Sequence, residues 1–78
     1  MTWHFDPDGL WRLRDPNGER RAGIHLQSFA TGGWYCWTAF SAPYDPDKSQ
    51  AMHGAATDLE IAKRDAERAV AQLDKEQP

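Results

Sequence analysis

The alternation of apolar and polar residues fails over residues 32–40, GGWYCWTAF. A strand with one wet face repeats with a period of two, so its apolar side chains should share one phase. In this stretch Trp34, Cys36, Thr38 and Phe40 point one way, while Tyr35, Trp37, Ala39 and Ser41 point the other. Aromatic rings fall on both phases, so the strand makes apolar demands on both faces of its sheet.

Turn residues punctuate the chain before and after it. Thr2–Phe5 is a short strand, closed by Asp6-Pro7-Asp8-Gly9, in which proline presets φ and glycine permits positive φ. Leu10–Arg14 is a second strand. Asp15-Pro16-Asn17-Gly18 fits a type I turn that closes a hairpin with a bulge. Glu19–Ala30 reads as the third strand, Gly32-Gly33 as the next turn, and Trp34–Ser41 as the fourth strand, ended by Pro43. A two-residue Gly-Gly turn sets Ile24 and Leu26 beside Trp37 and Ala39, and Phe29 with Trp34 and Cys36. A three-residue turn swaps the pairing, so the pattern leaves open which face is core.

Residues 44–56, YDPDKSQAMHGAA, read as a polar loop. Then TDLE, Thr57–Glu60, fits a capping box, and a helix runs to about Glu76. Leu59, Ala62, Ala66, Ala69, Val70 and Leu73 form one narrow apolar stripe, and Glu60 and Arg64 form a favourable pair on the wet side. The expected fold is α+β: a single domain over residues 1–78, with a four-stranded antiparallel meander over 2–42, a loop over 43–56 and one helix over 57–76 packed on one sheet face (ββββα). Some of Trp11, Phe29, Trp34, Tyr35, Trp37 and Phe40 then fall outside the helix-covered core. Either the 44–56 segment with Tyr44 and Met52 wraps them, or they form a binding or self-association surface.

Composition narrows the function. A chain of 78 residues makes one small domain with a modest core, to which four tryptophans contribute. The net charge is −3, which speaks against a sequence-independent DNA binder. One cysteine forbids an internal disulfide. The start MTWHFDPDG has no leader pattern and no apolar run reaches membrane-spanning length, so a soluble, cytoplasmic protein without membrane contact is expected.

Candidate chemistry is thin. Cys36 with His4, His25 or His53 has neither nucleophile–base nor metal-ligand spacing, and a mid-strand thiol among aromatics reads as buried and inert. Asp45–Lys48 lacks the glycine and distal glutamate of a calcium loop. No enzyme, metal or cofactor is expected.

Binding features are stronger. Arg12, Arg14, Arg20 and Arg21 surround the Asp15–Gly18 turn, and an arginine-bearing β-ribbon can enter a DNA groove or grip phosphates. The stretch GLWRLRDPNGERR resembles the arm-site-binding domains of phage-type integrases, a three-stranded sheet followed by a helix. This chain departs from them by the inserted strand Trp34–Phe40 and by its acidic balance, and Asp15 and Glu19 lie within the arginine cluster.

HGAATDLEIAKRDAERAV, His53–Val70, following a short sheet, resembles small phage and mobile-element proteins, among them several anti-CRISPR proteins of type I systems. That resemblance implies a non-catalytic, protein-binding inhibitor in the host cytoplasm that docks on the surveillance complex and blocks target DNA. The expected partner-binding residues are Trp34, Tyr35, Trp37, Phe40, Tyr44, Arg12, Arg14, Arg20 and Arg21, taken from the aromatic and arginine arguments. The alternative is a nucleic-acid-binding module using the 10–24 hairpin. A homodimer, through edge strands or exposed sheet faces, is a separate expectation.

Overall fold

A computed structural model describes residues 1–29, 32–42, 45, 47 and 49–76. It contains β1 (Thr2–Phe5), β2 (Trp11–Arg14), β3 (Arg20–Phe29), β4 (Gly32–Phe40), β5 (Ala51–Ala56) and α1 (Leu59–Glu76). The five strands form one antiparallel meander in sequence order, and the helix packs across it. The α+β class, the meander and the single C-terminal helix are as expected, with one strand more.

The fifth strand lies within the expected loop. Its sequence, AMHGAA, is poor in β-branched and aromatic residues, so nothing local marks it as a strand. Pairing with β4 from Tyr35↔Ala56 to Phe40↔Ala51 supplies what the sequence lacks. Residues 51–56 therefore lengthen the sheet instead of folding over it. The link from β4 is pinned at its base: Ser41 N–H donates to the Gln50 carbonyl, and Gln50 N–H donates to Ser41 Oγ, both at 2.9 Å.

Both aspartate–proline turns follow their sequence. Gly9 and Gly18 adopt φ of 85° and 81°, and each donates its N–H to the carbonyl of the aspartate that opens its turn. The third reversal differs from the expectation. Gly32 and Gly33 are strand residues, paired with Phe29 and Ser28. A Cβ on Gly33 would lie 3.2 Å from Leu26 Cδ1, so this glycine serves a close strand-to-strand approach. The resulting register sets Ile24 against Trp37 and Leu26 against Tyr35.

The helix start is also corrected by two residues. Asp58, not Thr57, is the N-cap: its Oδ1 accepts from the backbone N–H of Glu60 at 2.8 Å and of Ile61 at 3.2 Å. Glu60 pairs with Lys63 at 3.5 Å rather than with Arg64. The expected stripe does face the sheet, with Ala62, Ala66, Ala69, Val70 and Leu73 buried and Leu59 half-buried. Its alanines let the helix approach β3, β4 and β5 closely. The core they close contains Leu13, Ala22, Ile24, Trp37, Ala39 and Ala56.

At the β1–β2 end, longer side chains bridge the gap to the helix. Trp3 Nε1 donates to Glu67 Oε1 at 3.0 Å, and Lys63 Nζ lies 4.1 Å from the centre of the Trp11 ring. The hairpin of β3 and β4 outruns its neighbours, since β2 stops opposite Ile24 and β5 stops opposite Tyr35. Its end projects from the sheet and exposes Leu26 and Trp34.

Candidate functional site

The register assigns every strand residue to a face. Trp3, Phe5, Trp11, Leu13, Ala22, Ile24, Leu26, Tyr35, Trp37, Ala39 and Ala56 face the helix side. The described residues place no helix or strand on the other side. That bare face is crossed by one row from all five strands: His4, Arg12, Gly23, Thr38 and His53.

The β2–β3 pairing slips by one residue after Leu13, so that Arg14 pairs with Arg20 and Arg21 becomes the extra residue. This bulge separates the two arginines. Arg21 is 4% exposed and makes an ion pair with Asp74 near the end of α1. Arg20 lies on the bare face, where its guanidinium stacks 5.2 Å from the centre of the Phe40 ring. It reaches Phe40 across Gly23: a Cβ there would lie 2.9 Å from Arg20 Nη2.

The expected partner-binding residues therefore divide. Arg12, Arg14, Arg20, Trp34 and Phe40 share the bare face. Tyr35 is half-buried against the core, while Trp37 and Arg21 are buried, at 9% and 4% exposure. Alternation gives the phase of a side chain but not which phase the helix covers, and the bulge alone turns Arg21 inward. Tyr44 lies outside the described residues.

The arginines of the bare face are not equivalent. Arg12 is gripped from both sides, with Nη1 2.6 Å from Asp6 Oδ2 and Nη2 2.7 Å from Asp8 Oδ2. The Arg12 guanidinium, helped by the Leu10 N–H, holds the Asp8 carboxyl below its ordinary value near 3.8. The two carboxylates, Asp8 first, raise Arg12 in turn. Arg14 is exposed and donates to the Gly18 carbonyl at 3.1 Å. Beside it, Met1, Thr2, His4, Asp15 and Gly18 help to line an open cleft of about 410 Å³.

Sequence reasoning passed over the histidines as a set. His4, His25 and His53, all three of the chain's histidines, lie on the bare face. His53 Nδ1 is 3.1 Å from Thr38 Oγ1. Cys36 is half-buried rather than buried, and its thiol lies 3.7 Å from Gln27 Oε1. Among the described residues no three His, Cys, Asp or Glu side chains come together as metal ligands.

Charge marks this face once the strand bounds are known. The five strands contain no aspartate or glutamate at all, whereas all twelve carboxylates occur in turns, links and the helix. Charge is thus segregated. The bare face carries arginine and histidine, with Asp6 and Asp8 reaching Arg12 from the β1–β2 turn, and the helix with its Asp58 cap carries half of the acids. No helix among the described residues is long and apolar enough to cross a membrane. Comparison with known proteins finds no matching family model, no matching curated protein and no matching solved structure.

Proposed function

We propose that this chain is a non-catalytic binding module that holds nucleic acid on the bare face of its sheet. One observation carries the reading: a chain of net charge −3 keeps every carboxylate out of its strands, while Arg14, Arg20 and three histidines, beside an Arg12 paired with Asp6 and Asp8, occupy the face on which the described residues place no helix. Such a surface complements a phosphate backbone. The sequence alone offered nucleic-acid binding as the alternative reading, through the arginine-bearing hairpin at residues 10–24. In the fold, β2 and β3 are interior strands, flanked by β1 and β4, and this supports a reading in which the whole face binds.

The test is a salt titration of binding to labelled oligonucleotides. Affinity should fall steeply with salt, and R14E and R20E should weaken it and flatten the slope. Salt-insensitive binding, or none at low salt, would sink the reading.

A second reading has an observation of its own. Trp34 and Leu26 are 46% and 53% exposed on the projecting hairpin, on opposite faces. Exposed apolar anchors at a protruding end suit a protein partner. Under this reading the chain is an inhibitor from a phage or mobile element, of the anti-CRISPR kind, acting in the host cytoplasm on a CRISPR effector complex. Affinity capture that retains such a complex with the parent chain and loses it with W34A and L26A would favour this reading over the first.

A further inference from the structure

We infer that the nucleic acid held on this face is single-stranded, lying along β4 between Trp34 and the Arg20–Phe40 stack. The inference rests on the nucleic-acid reading above and names the ligand class.

Shape argues first. Five strands spaced about 4.8 Å apart make a face roughly 19 Å across, wider than the major groove of about 12 Å. The one part of the sheet narrow enough to enter a groove is the projecting end of the β3–β4 hairpin, residues 25–29 and 32–34. That segment contains no arginine or lysine with which to neutralise the phosphates lining a groove. The charge lies instead on the broad part of the face, which a convex duplex touches only along a line. A single strand has no such constraint, since its bases turn toward the protein and lie flat on it.

The chemistry of the face fits that ligand. Trp34 is 46% exposed opposite Gln27, which makes it a platform for one base. Phe40 lies six residues further along the same phase of β4, roughly 20 Å away at about 3.3 Å per residue, a span of a few nucleotides. Between them lie Cys36, Thr38, Gln27, His25 and His53, which offer hydrogen-bonding edges without a carboxylate. Because Gly23 has no side chain, the Arg20 guanidinium crosses that residue and lies over the Phe40 ring. Arg14, at the edge of the cleft that His4 and Asp15 also line, continues the track beyond Phe40 toward β1.

The experiment is fluorescence anisotropy of the full chain with a short mixed-sequence DNA strand and with the duplex of the same sequence, at low and moderate salt. The single strand should bind at least about tenfold tighter than the duplex, and W34A should weaken it about five- to hundredfold without changing the salt slope. W34F, which keeps an aromatic face, should restore most of the affinity. R14Q should instead flatten the slope. Circular dichroism of each variant establishes that it is folded. Duplex binding equal to or tighter than single-strand binding, or a folded W34A that binds like the parent, overturns the inference but leaves the nucleic-acid reading standing. Binding to neither probe overturns both.

Discussion

Trp37 occupies the space that a side chain on Gly54 would need. The two residues pair across β4 and β5, and a Cβ on Gly54 would come within 2.4 Å of Trp37 Cζ2. The indole lies against the neighbouring strand and fills the core beneath the alanine stripe of the helix. Gly54→Ala must therefore displace a large, rigid ring. A loss of about 1–3 kcal/mol is expected, and in a domain of this size each 1 kcal/mol lowers Tm by about 4–8 °C. Thermal denaturation followed by circular dichroism measures it. A G54A chain that melts with the parent would show that the ring moves at no cost.

Arg21 and Asp74 form the second long-range tie, from the β3 bulge to the end of the helix. Their exposures are unequal, the arginine side chain at 5% and the aspartate at 44%. Removing the acid strands a buried cation, whereas removing the arginine frees a carboxylate that water already reaches. Asp74→Ala should cost about 1–2 kcal/mol after allowance for solvent screening, and Arg21→Met should cost less. Urea unfolding of both single variants and the double variant gives the coupling. A more damaging R21M would refute this ordering.

The helix cap separates two adjacent residues. Asp58 Oδ1 accepts two N–H groups of the first turn, those of Glu60 and Ile61, so Asp58→Ala should lower stability by about 1 kcal/mol, and Thr57→Ala should have little effect. Equal losses in denaturant titrations would return the cap to Thr57.

The Asp8–Arg12 pair predicts a pH dependence. The folded-state value of Asp8 is depressed below its ordinary 3.8. Its contribution is therefore fully present above that value and is lost as pH falls through the lower folded value. Asp8→Asn should be less stable than the parent at neutral pH, and the difference should close in strong acid. The carboxyl carbon shift of Asp8, followed by NMR during acid titration, should move below 3.8. A gap that persists unchanged in strong acid would contradict the pairing.

Much of the fold was legible because it is local. Asp-Pro-Asp-Gly and Asp-Pro-Asn-Gly set two turns through φ preferences that act within four residues. The helix stripe follows from a 3.6-residue period in which Ala62, Ala66, Ala69 and Leu73 recur. The strand AMHGAA left no such trace. It pairs because β4 offers an edge and because its small residues admit Trp37 and the helix, which is a property of its neighbours.

The candidate site shows the same division. Alternation alone determined that Trp34, Cys36, Thr38 and Phe40 share a face and that Tyr35, Trp37 and Ala39 share the other, because successive side chains on a strand must point oppositely. The absence of carboxylates from the strands became visible only with the strand bounds, since the expected third strand began at Glu19 and AMHGAA read as loop. Which face is buried was decided only when the helix docked, since both faces carry aromatics and the choice depends on contacts between elements far apart in the chain. The bulge after Leu13 decided the arginines in the same way. It shifts the phase of β3 by one residue, sending Arg20 out over Phe40 and Arg21 inward to Asp74, and no local preference distinguishes those two neighbours.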